Sequence, residues 1–392
     1  MSSNALARWK EQLRKGLRAL EDRNLRRSLA EIHGVNLCSN DYLGLAEHPK
    51  LREAALRAVQ QAQRVGGTGS RLLSGQTEEW RALEAEFAGF AGTEEALFFG
   101  SGYAANLGLL AALVGKDDVV YSDALNHASL IDGMRLSGAR KVIYPHLNLE
   151  ALEDRLREEV GAPWRKVIIT ESVFSMDGDI APLKKIAELA DKYEAAIILD
   201  EAHAVGVMGP QGRGLAAEAG IVPQLLAVVH TCGKALACAG AFVCGPAVLK
   251  EHLINHARTF IFSTALPPYF SQQISAAVQL AAGMETERRE LQERAQRFRI
   301  ALRAEGFHTA GSASQIVPVV FGKVVETLDA AEHLQREGFA VRAIRPPTVP
   351  EGKARLRLSL TSRVPEHELE RLVKSLVSWR ADQQTPSAAR HA

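Results

Sequence analysis

Three short segments hold the side chains best suited to chemistry. In Val229-His230-Thr231-Cys232-Gly233-Lys234-Ala235-Leu236, a lysine follows an apolar run by a short turn and has no charged neighbour in sequence. Apolar surroundings disfavour an ammonium and lower its pKa, which is what a lysine needs to form a Schiff base with a carbonyl. Thr231 offers a hydroxyl to a phosphate. The residues before Lys234 lack the G-x-x-x-x-G-K pattern, which excludes a P-loop. In Leu199-Asp200-Glu201-Ala202-His203 a carboxylate ends another apolar run. Placed there, Asp200 can neutralise a protonated ring nitrogen, and His203 can hydrogen-bond a phenolic oxygen or move protons. A metal site is a competing reading of Asp200 and His203, but no third ligand stands at suitable spacing. The third segment, Gly100-Ser101-Gly102-Tyr103-Ala104-Ala105-Asn106, opens a helix directly after a strand. Its small residues allow close backbone approach, and a helix N-terminus presents free N–H groups to an anion.

Two of these segments also have a plain structural reading: a glycine in a tight turn, and a capping Asp beside a satisfied His. Taken together the three describe more. A lysine, a carboxylate and a phosphate cup on neighbouring strand ends are the parts of a pyridoxal phosphate site, with Lys234 on the aldehyde and Asp200 on the pyridinium nitrogen.

The pattern around these segments must supply the scaffold. Apolar runs at 96–99, 119–121, 141–144, 167–170, 196–199, 227–230 and 241–244 mostly lack period-two alternation, as expected of strands buried on both faces. Helical stretches such as 104–114, 149–159 and 182–193 lie between them. This rhythm predicts an α/β fold with a central, mostly parallel seven-stranded sheet and helices on both faces. The last two runs are too close for a crossover helix, so the seventh strand is expected to be antiparallel. Open sheets of this kind bind ligands beyond the strand ends. Before the sheet, Leu6, Trp9, Leu13, Leu17 and Leu20 recur at helical spacing. After it come a charged helix from Glu285 to Phe307, a strand at 316–321, a helix at 326–337, strands at 339–344 and 354–360, and a helix at 365–379. The expected organisation is an N-terminal helical arm and link (1–45), a large cofactor-binding domain (46–283), a small C-terminal α+β domain (284–380) and an unstructured tail (381–392).

Composition narrows the class. The 392 residues carry 47 Lys and Arg against 46 Asp and Glu, a formal net charge of +1. That balance argues against a dedicated nucleic-acid binder. No apolar run reaches membrane-spanning length, and no apolar segment of signal-peptide type opens the chain. The four cysteines, Cys38, Cys232, Cys238 and Cys244, lack zinc-ligand spacing and read as reduced thiols of a cytoplasmic protein.

Over about residues 36 to 375 the chain resembles the α-oxoamine synthases, pyridoxal-phosphate enzymes with the fold type I aminotransferase architecture. The likeness is carried by Cys38-Ser39-Asn40-Asp41-Tyr42-Leu43-Gly44-Leu45, Asn126-His127-Ala128-Ser129-Leu130, Val173-Phe174-Ser175-Met176-Asp177-Gly178-Asp179 and Asp200-Glu201-Ala202-His203. Ile344-Arg345-Pro346-Pro347-Thr348-Val349-Pro350, followed by Arg355-Leu356-Arg357-Leu358, is most similar to members acting in biotin synthesis. The resemblance implies that Lys234 carries the cofactor and that Asp200 and His203 meet its ring nitrogen and oxygen. It implies that His127 stacks on the ring, that Gly102 and Tyr103 hold the phosphate through their backbone, and that Ser175 and Thr231 assist. It also implies that Arg357 grips an amino-acid carboxylate, that Thr348 touches the acyl substrate and that Arg26 is a substrate contact.

The reaction so implied is decarboxylative condensation of an amino acid, L-alanine for the biotin branch, with a thioester of coenzyme A or acyl carrier protein. Glycine with an acetyl thioester, serine with a long acyl thioester, or a non-catalytic scaffold subunit are the alternatives. Such enzymes are homodimers, and no metal is expected. An acidic carrier protein would look for Arg14, Lys15, Arg18, Arg23, Arg26 and Arg27. The chain departs from the family pattern at three places. Ala237 and Ala239 replace a common Gly and Ser, Phe262 replaces a common Tyr, and the link from Arg26 to Asn40 is short.

Overall fold

The computed structural model describes residues 3–31 and 33–384. The chain packs into two compact units. The larger comprises residues 40–293 and 361–363; the smaller comprises the described residues up to Ser39, residues 294–360, and those from Val364 onward.

Seven strands form the central sheet of the larger unit: β1 (Glu95–Phe99), β2 (Asp118–Asp123), β3 (Arg140–Tyr144), β4 (Arg165–Glu171), β5 (Ala195–Asp200), β6 (Ala227–Thr231) and β7 (Ala241–Gly245). Their order is β1-β7-β6-β5-β4-β2-β3. The β3, β2, β4, β5 and β6 ladder is parallel throughout. β7 is antiparallel to both neighbours, β1 and β6. All seven expected runs are strands, and the seventh runs antiparallel because its link from β6 holds no crossover helix.

Burial on both faces explains the weak alternation. Leu97, Phe99, Val120, Val167, Ile169, Ile198, Val229 and Val243 share one core with Leu109 and Leu110 of the helix Gly102–Leu113 and Leu130 and Met134 of the helix Ala128–Ser137. The intervening residues face another aromatic layer. There Phe242 stacks on Phe87 at 3.8 Å between ring centroids, and Phe98 stacks on Trp80 at 4.5 Å. Helices Gly102–Leu113 and Ala128–Ser137 approach closely at Gly133. A Cβ there would fall 2.9 Å from Leu110 Cβ and 3.0 Å from the Asn106 carbonyl oxygen. This glycine therefore brings Asn106 and Ser129 within reach of each other.

In the smaller unit, β8 (Ile316–Gly322), β9 (Ala343–Ile344) and β10 (Ala354–Ser359) form an antiparallel sheet in the order β9-β10-β8. The helix Val324–Arg336 packs on it. The run 339–344, expected as one strand, divides in two. Phe339–Ala340 pairs in parallel with Val35–Asn36, whereas β9 pairs with β10. At the break, Gln335 donates to the Val341 carbonyl, and the Arg342 guanidinium bonds the Ala30 and Glu31 carbonyls. The last helix runs Glu366–Gln384, so residues 381–384, expected in the tail, are helical; the remainder of that tail lies outside the described residues. The N-terminal helix, Ser3–Asp22, leaves its stripe of Leu6, Trp9, Leu13, Leu17 and Leu20 exposed. No helix among the described residues is long and apolar enough to cross a membrane.

Candidate active site

Because β1 runs in the same direction as the parallel strands, β1, β2, β4, β5 and β6 all end at one edge of the sheet. The helix Gly102–Leu113 begins there, after β1. Ser101 is its N-cap and accepts the Ala104 N–H. Gly102 and Tyr103 occupy the first two helical positions, where N–H groups have no intrahelical acceptor. Thr231, at the end of β6, lies beside them: a Cβ on Gly102 would come within 3.4 Å of its hydroxyl oxygen. Two free N–H groups, a hydroxyl and the positive helix end make an anion cradle.

Asp200 ends β5, buried and held on both oxygens. Oδ1 accepts the Ala202 N–H at 2.8 Å, and Oδ2 accepts Asn106 Nδ2–H at 2.6 Å. Asn106 Nδ2 also donates to Ser129 Oγ at 2.9 Å, and Ser129 Oγ lies 2.7 Å from His127 Nδ1. Glu171, at the end of β4, stands opposite Asp200 in the ladder. Its carboxyl accepts the His127 backbone N–H, and its Oε1 has no partner. Burial, reinforced by the Asp200 charge, raises the Glu171 pKa well above the usual carboxylate range. Burial lowers that of His127, with Asp200 opposing and Lys234 adding to the shift. The shift favours the neutral imidazole.

Lys234 stands three residues past β6. Its turn is closed by Ala237 N–H to the Lys234 carbonyl (2.9 Å) and Cys238 N–H to the Cys232 carbonyl (2.8 Å). Lys234 Nζ lies 3.0 Å from His203 Nε2, and Tyr42 Oη lies 2.6 Å from His203 Nδ1. The histidine is thus fixed from behind by a fully buried phenol. Ser175 is buried in the loop after β4, which is closed by Phe174 N–H to the Asp179 carbonyl and Gly178 N–H to the Phe174 carbonyl. Asp179 and Asp123 grip His146 from its two ring nitrogens, at 2.6 and 2.8 Å. Burial opposes a charge on His146, but the two carboxylates outweigh it and hold its pKa at about 10.

The remaining expected site residues belong to the smaller unit. Arg357, buried in β10, donates to Ser359 Oγ at 2.6 Å. Arg355, two residues earlier on the same face, bonds the Lys353 carbonyl. Thr348 Oγ1 accepts from Arg27 at 3.4 Å, while Arg26 pairs with Glu21. Among the basic residues proposed for a carrier protein, Arg14 and Arg18 pair with Glu11, and Arg23 with Glu351. Two family departures acquire a geometry: Ala237 sits at φ +49°, and Phe262 is exposed with the Arg258 guanidinium 4.8 Å from its ring centroid.

Four members of this cluster had no expected role: Tyr42, Asn106, Ser129 and Glu171. Their sequence signals are weak. Asn106 is one helical turn past Gly102, and Glu171 is a carboxylate ending a buried strand, as Asp200 is. Among the described residues, no group of three or more His, Cys, Asp or Glu side chains gathers as a metal site.

Pyridoxal phosphate fits this edge. The Gly102 helix end and Thr231 could take its phosphate, Lys234 its aldehyde, and the Asp200 carboxylate, locked by two donors, its ring nitrogen. Fold and site together define a pyridoxal-phosphate enzyme of fold type I architecture. The chain belongs to the aminotransferase class I and II family, whose pattern matches residues 32–376. It is 46% identical over 375 residues to the 8-amino-7-oxononanoate synthase of Geobacter sulfurreducens, a match covering 92% of this chain and 95% of that one. Among solved structures, the 8-amino-7-oxononanoate synthase of Francisella tularensis superposes with a TM-score of 0.78 at 29% identity, covering 90% of this chain and 99% of its own. A structure of SPT with a PLP internal aldimine superposes with a TM-score of 0.84 at 30% identity, covering 90% of this chain and 89% of its own.

Proposed function

We propose that the chain condenses L-alanine with a pimeloyl thioester, releasing carbon dioxide and the free thiol and yielding 8-amino-7-oxononanoate for biotin synthesis. The observation that carries this reading is the near full-length match to the Geobacter sulfurreducens synthase; it is supported by Lys234 Nζ lying against His203 and by Asp200 being held on both oxygens. When bound, pyridoxal phosphate supplies the electron sink for negative charge at the amino-acid α-carbon.

The chain's own residues do the rest. Lys234 would hold the cofactor, and its free Nζ would take the α-proton of the amino acid. His203, braced by Tyr42, would hydrogen-bond the ring oxygen. Asp200, its orientation set by Ala202 N–H and Asn106, would hold a proton on the ring nitrogen. His127 would cover the ring face and donate a hydrogen bond to the acyl carbonyl. Arg357 binds the alanine carboxylate with its planar guanidinium. Thr348 contacts the acyl chain, and Ser175 assists at the cofactor. Arg26, tied to Glu21, is the weakest of the substrate contacts.

The enzyme acts as a homodimer in the cytoplasm. The exposed apolar stripe of the N-terminal helix in the smaller unit and, separately, the exposed Leu73 and Phe262 of the larger unit support self-association; sedimentation velocity tests it. Coenzyme A and acyl carrier protein are the two candidate thioester carriers.

Steady-state assays with alanine, glycine and serine against pimeloyl-, acetyl- and palmitoyl-coenzyme A decide the substrate. Alanine with the pimeloyl thioester should give the highest kcat/KM. A preference for glycine with acetyl-coenzyme A, or serine with palmitoyl-coenzyme A, would move the chain to another branch of the family. The same assay with pimeloyl-acyl carrier protein ranks the carriers.

A further inference from the structure

We infer that Asn106 and Ser129 are positioning residues that fix the tautomer of His127, placing its only ring proton on Nε2. The inference rests on the reading of His127 as the donor over the cofactor face. Asp200 sets the order of the chain. Its Oδ2 lies 2.6 Å from one terminal atom of the Asn106 side chain. Two acceptors cannot share that distance, so the atom facing the carboxylate is Nδ2. The orientation holds even though it leaves Asn106 Oδ1 buried without a partner.

The second N–H of the same amide then points to Ser129 Oγ at 2.9 Å. Ser129 Oγ lies 2.7 Å from His127 Nδ1, and because a hydroxyl can accept two bonds and still donate one, the direction of this contact is set by what else reaches that nitrogen. The Ser129 backbone N–H donates to Nδ1, at 3.3 Å. That nitrogen must therefore carry a lone pair, and the hydroxyl donates to it as well. In a neutral imidazole the proton therefore resides on Nε2. Asn106, Ser129 and Asp200 are all buried, so water does not compete for these bonds. One carboxylate thus serves two ends of the site: the ring nitrogen directly, and the face-covering histidine through an amide and a hydroxyl. Only the Nε2–H tautomer leaves a donor free for a substrate oxygen, because Nδ1 is occupied.

The test is nitrogen-15 NMR of the imidazole rings, recorded on the protein with and without pyridoxal phosphate, with His127 assigned by its loss in His127→Gln. The wild type should show His127 protonated at Nε2 and unprotonated at Nδ1 in both forms. In Ser129→Ala and in Asn106→Leu, a population protonated at Nδ1 should appear. With alanine and pimeloyl-coenzyme A, kcat should fall about tenfold or more in both variants, while the KM for alanine changes less than about twofold. Asn106→Leu does not touch His127, so its effect on that ring's spectrum reports the relay and not lost packing. A wild-type His127 protonated at Nδ1, or a wild-type spectrum in both variants, overturns the inference. Should the expected spectra appear in a protein that rejects alanine and pimeloyl-coenzyme A, the relay stands and only the substrate assignment fails.

Discussion

In β2, β4 and β5, inner strands of the central sheet, charged side chains occur only in the first two positions or the last. In the smaller unit, Arg355 and Arg357 lie within β10 and are buried. The difference follows from the layers. Inner parallel strands have helices or aromatic layers on both faces, and a charge in mid-strand would lose water without a partner. Their carboxyl ends open onto helix N-termini and loops, which supply donors for Asp200, Glu171 and Asp123. One edge therefore collects almost all the polar chemistry. A short antiparallel sheet can place a charged side chain in mid-strand if local acceptors hold it, as Ser359 Oγ and the Lys353 carbonyl do here. The first arrangement suits bond making and proton transfer; the second suits recognition of an anion.

Substitutions at the central edge should therefore strike the chemistry hardest. Lys234→Ala should remove the visible absorbance of the lysine-bound cofactor and lower turnover by about four orders of magnitude or more. Turnover within tenfold of the parent would place the chemistry elsewhere. Asp200→Asn should retain cofactor, bound more weakly, and lose about a hundred- to a thousandfold in kcat. A parental rate would show that the charge is not needed at the ring nitrogen. In β10, by contrast, Arg357→Ala should act mainly on binding, raising the KM for alanine about ten- to hundredfold with a smaller change in kcat. If kcat collapses and KM does not move, the contrast between the two sheets fails. If neither changes, the carboxylate contact passes to Arg355.

The strand edge was readable because burial on both faces leaves continuous apolar runs, and a Lys, Asp or Gly at the end of such a run is conspicuous. Asn106 and Ser129 were not. Each is an ordinary polar residue in a helix, and the bond between them depends on the close approach at Gly133. Tyr42 likewise meets His203 across 161 residues of chain. The division of 339–344 into two pairings was hidden because a short β-like run does not declare which partner each half will take.

The loops of the central edge need their own clamp, and His146 offers one. Its folded pKa of about 10 lies above the unfolded value near 6.5. Its contribution is therefore fully present below about pH 6.5 and is lost as pH rises through about 10. His146→Gln should cost about 2 kcal/mol at pH 6, read by thermal or urea unfolding, and the gap to the wild type should narrow steadily up to pH 10. A gap that does not change with pH would mean that His146 contributes by packing, not by charge.

The smallest effect is expected at the turn that carries the lysine. Ala237 holds φ +49°, a left-handed conformation that costs an L-residue about 1–2 kcal/mol. Its N–H nevertheless closes the turn onto the Lys234 carbonyl at 2.9 Å. Glycine would remove the strain, but its greater freedom when unfolded returns about 0.5–1 kcal/mol. Ala237→Gly should therefore stabilise the protein by only about 0.5 kcal/mol, a rise in Tm of about 1 °C for a chain of this size. The same change gives the turn more freedom, so the KM for alanine should hold while kcat falls no more than about twofold. A clear loss of stability would show that the alanine methyl packs beside the cofactor turn strongly enough to outweigh its own backbone strain. The departure from glycine would then be a local packing gain at the one turn where the central sheet presents its lysine.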